Sequence, residues 1–151
     1  MSLRCEVWFY HLEQSGLDQV LPELLEKTLQ RGWRALVRSP DPDRIEHLDG
    51  WLWAYRDESF LPHGLDSEPE AMRQPILLTT EMANANKADA LFLIDDADPG
   101  DLSPFSRCIL LFDGRDEEAL ASARKRWKDV TAAGHPASYW RQAERGWTKQ
   151  G

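Results

Sequence analysis

Five short apolar runs, separated by helical or polar stretches, constrain the fold of this chain more than any other feature. They lie near residues 4–10, 34–38, 75–79, 90–94 and 107–112. The last two are continuously apolar, which is typical of strands covered on both faces. Strands that alternate with amphipathic helices form a parallel sheet with crossover helices. The sequence therefore predicts a three-layer, Rossmann-like α/β domain with a mainly parallel five-stranded sheet, for which the fold class gives the expected strand order 3-2-1-4-5.

Two helices are predicted in the first third of the chain. Residues 17–31 carry Leu and Val side chains at helical spacing, but Pro22 fits best in a first turn, which favours a later start of this helix. Asp41 followed by Pro42 is the pattern of an N-cap and a first helical residue. The buried stripe of that second helix is predicted to consist of Ile45, Leu48, Leu52 and Tyr55.

A third helix is predicted near the carboxy terminus. The acidic residues within 113–118 favour its beginning, and Gly134 is a suitable residue to end it. Its last turn is predicted to be basic, which would complement the helix dipole. Residues 64–74 and 95–105 are rich in Pro, Gly, Asp and Glu and are predicted to be loops.

Length and charge narrow the class of protein. A chain of 151 residues has the size of one domain, here residues 1–151, and its net charge of −8 disfavours binding to phosphate backbones and anionic membranes. No run approaches the roughly 20 apolar residues of a membrane span, and the first five residues lack the apolar core of a signal peptide. The expected location is therefore the cytoplasm. Cys5 and Cys108 lie in separate apolar runs, which predicts two buried reduced thiols.

The sequence lacks the motifs of catalysis and of nucleotide binding. It holds no phosphate-binding loop, and Gly16 is the only glycine soon after the first strand. Asp95 and Asp96 offer the oxygen ligands that Mg²⁺ prefers, but without a phosphate loop a solvated loop is the better interpretation. The four histidines show no metal-ligand spacing, and His63 is expected to bind backbone groups of a turn. We therefore expect no catalytic residue, no cofactor and no metal.

Residues 51–64 concentrate large aromatic side chains in a polar, turn-rich segment. They include Trp51, Trp53, Tyr55 and Phe60. Aromatic side chains near loops are common anchors of protein interfaces, so the segment is predicted to be a docking element. The alternative is that individual indoles fill the core. Phe60 is the side chain least suited to that alternative, because it follows the predicted helix and precedes a Pro-containing turn.

A second distinctive segment is basic. Arg124, Lys125, Arg126 and Lys128 surround Trp127 and place a charge of +4 within five residues of an otherwise acidic chain. On a helix, Arg124, Trp127 and Lys128 share one face. Such a face suits a short acidic peptide that ends in an apolar residue, whose apolar group packs on the indole. The alternative is a solvated basic helix end that complements the helix dipole.

The segment around residues 52–63 resembles the chi subunit of bacterial DNA polymerase III. A helix that ends in Leu-Trp-Ala is followed by Glu-Ser-Phe-Leu-Pro-His, and the run from Ser59 to His63 is the specific part of the likeness. Weaker matches extend the resemblance over most of the chain. They comprise residues 7–10, 31–37, 123–128 and 133–134.

The resemblance implies an accessory subunit of the clamp-loader assembly with no polymerase activity of its own. It implies that Arg124, Trp127 and Lys128 receive the acidic carboxy-terminal tail of the single-stranded-DNA-binding protein, so that contact with single-stranded DNA is indirect. Trp127 stands where the family usually has Tyr. Leu120 stands where the family usually has a further basic residue, and both departures bear on the affinity for the tail.

The resemblance also implies a second partner, the psi subunit of the same assembly. Phe60 would dock that subunit, with Trp53 as its neighbour. In the carboxy-terminal aromatic stretch, Trp140 is expected to pack on the core or to form the wall of a pocket.

Two other classes of function stay open from the residues alone. One is a Rossmann-like enzyme or nucleotide-binding domain whose signature has degenerated, which a panel of nucleotides in a thermal-shift assay would detect. The other is a scaffold subunit of an unrelated complex, which would bind through Phe60 and not through the basic helix.

Overall fold

A computed structural model describes residues 5–13, 16–54, 62–143 and 146–150, which form one mainly parallel sheet covered by helices on both faces. The strands are β1 (Glu6–Leu12), β2 (Ala35–Arg38), β3 (His63–Leu65), β4 (Ile76–Thr79), β5 (Ala90–Leu93), β6 (Arg107–Asp113), β7 (Ala137–Gln142) and β8 (Trp147–Lys149). The helices are α1 (Leu17–Gln30), α2 (Pro42–Ala54) and α3 (Glu117–Ala132), and a single 3-10 turn spans Ala71–Arg73.

The predicted fold class is confirmed, but the sheet has eight strands and not five. Among the strands in the described ranges, only the β7–β8 pair is antiparallel. The five predicted strands correspond to β1, β2, β4, β5 and β6. The sequence pattern missed β3 and β8 because each has three residues, and it missed β7 because that strand is mostly half-buried and of mixed polarity. The predicted loop at 64–74 was wrong at its start, where β3 ends.

The expected strand order was also wrong. The sheet order is β3-β4-β2-β5-β6-β1-β7-β8, so the five predicted strands follow one another as 3-2-4-5-1. The first strand lies between β6 and β7, where Phe9 is paired with Leu110 on one side and Tyr139 on the other. Apolar runs indicate that a strand is covered on both faces, but they do not specify its neighbours in the sheet.

Successive residues of β1 point to opposite faces of the sheet and so into two separate cores. Tyr10 packs with α1 and α2 residues on one face, and Phe9 packs with α3 residues on the other. The two faces account for the three layers. Residues of the carboxy-terminal aromatic stretch join the first core: the Trp140 ring lies 5.5 Å from that of Trp8, and Trp147 meets Tyr10 edge-on at 4.7 Å. The expected packing of Trp140 is therefore confirmed.

Helix α1 begins at Leu17, so the later start that Pro22 favoured was wrong. Pro22 lies in the second turn, where its missing N–H leaves the Asp18 carbonyl without the usual intrahelical donor. The indole of Trp51 replaces that donor, with 2.6 Å between Nε1 and the Asp18 oxygen. A contact between two helices thus satisfies a group that the proline would otherwise leave unpaired.

The predicted start of α2 is confirmed. The Asp41 carboxylate accepts a hydrogen bond of 3.0 Å from the Asp43 amide, and Pro42 is the first helical residue. Three members of the predicted stripe are buried, namely Ile45, Leu48 and Leu52, whereas Tyr55 lies outside the described residues.

Helix α3 begins and ends where the sequence indicated. The Asp116 carboxylate accepts hydrogen bonds from the Glu118 and Ala119 amides, and Gly134 follows the helix with φ +89°. That conformation favours glycine and lets the His135 amide bond back to the Val130 carbonyl. The predicted basic last turn was wrong, since it holds no Lys or Arg. The basic residues 124–128 lie in the middle of the helix, where they present side chains rather than neutralise a helix end.

The two cysteines are buried and free, as predicted. Burial raises the pKa of the Cys5 thiol to about 12 and raises that of Cys108 as well. Both thiols are therefore protonated and unreactive at neutral pH. None of the helices in the described ranges is long and apolar enough to span a membrane.

Candidate functional site

One side of α3, next to β7, carries the residues singled out by the basic pattern. Arg124 and Lys128 are exposed, and Trp127 between them is partly buried. Residues three and four positions apart are neighbours on a helix, so the three side chains form one patch. We call Arg124, Trp127 and Lys128 the α3 patch.

The indole of the α3 patch is held in place by other aromatic rings. The Trp127 ring lies 5.3 Å from that of Phe9, tilted by 60°, and 6.1 Å from that of Tyr139 at 72°. Phe9 and Tyr139 are themselves stacked, 6.5 Å apart and 13° from parallel. Edge-to-face and offset contacts of this kind are favourable beyond the area they bury. The patch therefore presents an aromatic wall whose orientation is fixed before a ligand arrives.

The four basic residues of the segment differ in their partners. Arg126 lies 3.4 Å from the Asp96 carboxylate, on another side of the helix. Arg124, Lys125 and Lys128 form no ion pair with any residue in the described parts of the chain. Within the α3 patch both cations are thus available to a ligand.

A cleft of about 310 Å³ opens beside Arg124, between α3 and β7. We call it the Arg124 cleft. Its apolar wall on the helix side is Leu120. Its lining residues are His11, Glu13, Gly114, Leu120, Arg124, Tyr139, Arg141 and Gln150.

A connected set of polar groups lines the far side of this cleft. Arg141 Nε donates to Glu13 Oε1 at 2.9 Å, and Nη2 of the same guanidinium lies 2.6 Å from that oxygen as an ion pair. The Tyr139 hydroxyl lies 2.5 Å from His11 Nδ1, and His11 Nε2 lies 3.1 Å from Glu13 Oε1 without forming a well-oriented hydrogen bond. The carboxylate near Nε2 favours the proton on that nitrogen, so the tyrosine hydroxyl donates to Nδ1.

These contacts shift the ionisation of the cleft residues. Burial lowers the pKa of His11, which makes the imidazole neutral at pH 7. The hydrogen bond between Arg141 and Glu13, with the attraction of their charges, lowers the pKa of the carboxyl group and raises that of the guanidinium. Burial raises the pKa of the Tyr139 hydroxyl. The cleft therefore holds two arginine cations and one carboxylate.

The sequence patterns did not identify His11, Glu13 or Arg141. The available signal was a histidine inside a run that is otherwise apolar, since a polar residue at a buried strand position needs a partner. Arg141 gave no such signal because its strand was not predicted. His11 and Arg141 are brought side by side by the pairing of β1 with β7.

The aromatic segment divides into a core residue and a surface residue. Trp51 is partly buried and bonds to α1, in keeping with the core alternative. Trp53 is 53% exposed, and its ring lies 4.2 Å from that of His63. His63 is buried and bonds to a backbone group, as predicted, but the group is the Asp49 carbonyl of α2 at 2.9 Å and not part of a turn. Phe60 lies outside the described residues.

A larger cleft, of about 650 Å³, lies at the carboxyl ends of β1 and β6. Nucleotides bind at this edge in many α/β folds. Six acidic residues line it, namely Asp18, Asp95, Asp96, Asp113, Asp116 and Glu118. Its two arginines are paired with acids: Arg44 Nε lies 3.0 Å from Asp95, and Arg115 Nε lies 2.9 Å from Asp113. This charge opposes the binding of phosphate groups.

Asp95 and Asp96 are engaged with protein groups rather than gathered around a metal position. Asp95 accepts hydrogen bonds from both Ser39, at 2.8 Å, and Arg44, and Asp96 meets Arg126. Across the residues that the structure describes, no group of three or more His, Cys, Asp or Glu side chains is arranged to hold a metal ion.

Comparison with known protein families decides the class of this chain. A sequence model of the family described as DNA polymerase III chi subunit, HolC, matches residues 5–138. The chain belongs to this family. The match includes β1 to β6 and the whole of α3, and it ends just before Tyr139. The resemblance seen in the sequence is thereby confirmed.

Individual chi proteins show the same relationship. The chain is 30% identical over 125 residues to DNA polymerase III subunit chi of Pseudomonas aeruginosa (strain PAO1), which covers 82% of this chain and 85% of that protein. It is 25% identical over 121 residues to the Escherichia coli (strain K12) subunit chi, covering 80% and 82%. It is also 28% identical over 103 residues to the probable subunit chi of Rickettsia prowazekii, and this match spans 68% of the chain but only 62% of that protein.

Membership of the chi family establishes an accessory role in DNA replication, as an associated and not a catalytic subunit of DNA polymerase III.

Proposed function

We propose that this chi-family chain tethers DNA polymerase III to DNA-bound single-stranded-DNA-binding protein. The α3 patch binds the acidic carboxy-terminal tail of that protein, and Phe60 with Trp53 docks a psi-like subunit of the clamp loader. Contact with single-stranded DNA is then indirect, through another protein.

The observation that carries this proposal is a preformed cationic patch on an acidic protein. Arg124 and Lys128 are exposed and have no ion-pair partner among the described residues, while Phe9 and Tyr139 fix the indole between them. An acidic peptide with an apolar end meets complementary groups here: its carboxylates face the two cations, and its apolar side chain packs on Trp127.

The charge distribution fits an indirect contact with DNA. A net charge of −8 disfavours general binding to phosphate backbones. A local cationic patch on such a surface selects an acidic peptide and speeds its association, without attracting nucleic acid elsewhere.

The proposed contact is weak for a single tail and stronger for an oligomeric partner. A patch of one indole and two exposed cations supports an affinity in the micromolar range, about −8 kcal/mol. A partner with several tails raises the local tail concentration, so the tether holds without a tight single contact. Weak contacts of this kind also permit rapid exchange along a moving replication fork.

Docking of a psi-like subunit is proposed at the end of α2. Trp53 leaves half of its indole exposed while resting on the buried His63 ring. An exposed indole on a fixed support has the character of an interface anchor. Phe60 supplies the second anchor by its family resemblance alone.

Calorimetric titration tests the tail site directly. The probe is a peptide that copies the carboxy-terminal tail of the single-stranded-DNA-binding protein of the same organism. We expect salt-sensitive, micromolar binding to the unmodified chain, and a loss of about 1–3 kcal/mol in Trp127→Ala and in Arg124→Ala. Arg124→Ala should retain the thermal stability of the parent, because Arg124 is exposed and has no ion-pair partner in the described ranges. Trp127→Ala also removes the contacts of the indole with Phe9 and Tyr139, so we expect it to be less stable, and its titration is made well below its melting temperature.

The matched control is Lys27→Gln. Lys27 is exposed and has no ion-pair partner in the described ranges, but it lies on α1, which packs on the opposite face of the sheet from α3. Its removal should change the affinity much less than the removal of Arg124. No heat at low salt, or equal losses in all three variants, would contradict the assignment of this patch.

A separate measurement tests the second partner. Trp53→Ala should leave tail binding unchanged and should weaken retention of a co-expressed psi-like subunit on an affinity column. Retention equal to that of the parent chain would remove Trp53 from the docking surface.

A further inference from the structure

The Arg124 cleft holds two guanidinium groups, and only one of them has an internal partner. Arg124 forms no ion pair with a residue that the structure describes, whereas Arg141 Nε donates to Glu13 Oε1 at 2.9 Å and Nη2 lies 2.6 Å from the same oxygen. A charge-assisted hydrogen bond to a carboxylate is a strong contact, and it is the contact that the carboxylate of a ligand would make. Glu13 thus occupies a carboxylate-binding position from within the protein.

The floor of the cleft carries a polar atom that lacks a hydrogen bond. His11 is 6% exposed, and its Nε2 finds no acceptor in good geometry among the described residues, although Glu13 Oε1 is 3.1 Å away. The Tyr139 contact at Nδ1 fixes the ring, so Nε2 keeps its orientation. A buried donor whose nearest acceptor is poorly aligned is unfavourable, and a better aligned ligand oxygen in place of Glu13 would satisfy it.

The proposal made from these observations rests on the proposed function. We propose that the acidic tail bound at Arg124 extends across the Arg124 cleft to Arg141, where one of its carboxylates replaces Glu13. Arg141 is then the second cation of the tail site, and Glu13 is an internal competitor that limits the affinity.

The charges of the cleft support this exchange. With His11 neutral, Arg124 and Arg141 against Glu13 give the empty cleft one net positive charge. For an incoming carboxylate, Arg124 has no competing partner among the described residues, whereas Arg141 is already paired with Glu13. The Glu13 side chain is one-quarter exposed and that of Arg141 about one-half, so the exchanged carboxylate has access to water. Arg141 keeps one ion pair throughout the exchange. The ligand carboxylate can also accept a hydrogen bond from His11 Nε2.

Three variants in the calorimetric titration with the tail peptide test this exchange. Glu13→Gln should tighten binding about threefold to fivefold, because the competitor is removed, and Arg141→Gln should weaken it by a similar factor, since partly exposed ion pairs contribute this much. The double variant decides the mechanism. If Glu13 acts through Arg141, the gain from Glu13→Gln disappears when Arg141 is absent.

Two controls separate the exchange from a general change of charge. Glu23→Gln, on the exposed side of α1, removes the same charge as Glu13→Gln and should leave the affinity nearly unchanged. Arg73→Gln, in the 3-10 turn before β4 and near the opposite edge of the sheet, is the matched control for Arg141→Gln. Arg141→Lys keeps the charge but not the paired donors, so it should lie between the parent and Arg141→Gln and serves if the latter is unstable.

The outcomes distinguish this inference from the proposed function. If the parent binds the peptide but Glu13→Gln and Arg141→Gln leave the dissociation constant unchanged, the extension to Arg141 is wrong and the α3 patch stands. A gain from Glu13→Gln that persists undiminished in the double variant also overturns the exchange. If the parent chain does not bind the peptide, the proposed function fails, and the extension fails with it.

Discussion

Two clefts at the carboxyl edge of the sheet both touch α3, and their charges differ in sign. The larger, of about 650 Å³, is lined by six acidic residues and by two arginines that already have acidic partners. The smaller, of about 310 Å³, is lined by two arginines and one glutamate. In a Rossmann-like fold the size and place of the larger cleft suggest a nucleotide site, but its charge opposes one. The presence of a cation without an ion-pair partner, Arg124, is a better reason than cleft size to look for a ligand in the smaller cleft.

The acidity of the larger cleft follows from the helices that begin there. Asp116 caps α3, Glu118 lies in its first turn, and Asp18 lies in the first turn of α1. Helix amino termini favour negative charge, and in nucleotide-binding folds a phosphate supplies it. In this chain, acidic side chains of the helices supply that negative charge. The helix amino termini therefore already have the charge that a phosphate would provide.

The largest expected effect on stability is that of a substitution at Gly114, which lines the smaller cleft. A Cβ at Gly114 would overlap the buried His11 ring, which the Tyr139 hydroxyl holds in place. Gly114→Ala should therefore lower the free energy of unfolding by roughly 1–3 kcal/mol, as overpacking of a buried site does. Urea denaturation measures the difference.

The control for this change is a glycine with free space around it. Gly50 lies within α2, and a Cβ there would meet no atom within 4 Å. Gly50→Ala should raise the free energy of unfolding by up to about 1 kcal/mol, since alanine favours the helix. A loss in both variants would show that the His11 contact is not the cause.

A smaller effect should distinguish the arginines of the two clefts. Arg44 makes two hydrogen bonds to the Asp95 carboxylate, at 3.0 and 3.1 Å, so Arg44→Gln should cost about 1 kcal/mol of stability at most, given the partial exposure of the pair. Arg124 has no such partner, and Arg124→Gln should leave the urea midpoint unchanged. Equal destabilisation by both would mean that Arg124 is a structural residue, which would contradict its availability to a ligand.

The sequence predicted the features that depend on local periodicity. Continuous apolar runs identified β1, β2, β4, β5 and β6, and the spacing of Arg124, Trp127 and Lys128 placed these residues on one helical face. The exposed indole of Trp53 lies in the aromatic segment that the sequence singled out, and its docking role stays a prediction.

The Arg124 cleft could not be predicted, because it depends on which strands are neighbours. His11 and Tyr139 are 128 residues apart, and so are Glu13 and Arg141. They meet because β1 lies beside β7, whereas the expected strand order placed β1 in the middle of the sheet. Strand β7 has the mixed polarity of a strand near the edge, which no periodic signal separates from a loop.

A modest effect of pH is expected in the smaller cleft. Burial lowers the pKa of His11 from 6.5, so the unfolded chain binds a proton more readily than the folded chain. The stability that neutral His11 gives the folded chain is fully present above pH 6.5 and is lost as the pH falls below that value. Charged or titratable groups around the ring are Glu13 after β1, Asp113 of β6, and Tyr139 and Arg141 of β7.

The carboxyl groups near His11 titrate in a lower range, which allows the two effects to be separated. The pKa values of Glu13 and Asp113 are lowered from 4.5 and 3.8 by their arginine partners. Between pH 6.5 and 4.5 the decline in unfolding free energy should therefore be steeper in the parent than in His11→Gln, as urea denaturation at several pH values would show. Identical slopes would mean that His11 is not buried in its neutral form.

The smallest expected effect is that of nucleotides on the larger cleft. A ligand at 100 times its dissociation constant stabilises a protein by about 2.7 kcal/mol, which a thermal-shift assay detects readily. ATP, GTP, NAD and NADP, each with Mg²⁺, should produce no shift, because six acids and two internally paired arginines face the ligand. A shift that disappears in Arg115→Gln would overturn the comparison, since it would mean that phosphate displaces Asp113 from this arginine. In that case the larger cleft would be a nucleotide site, and the degenerate Rossmann-like interpretation would return for that part of the molecule.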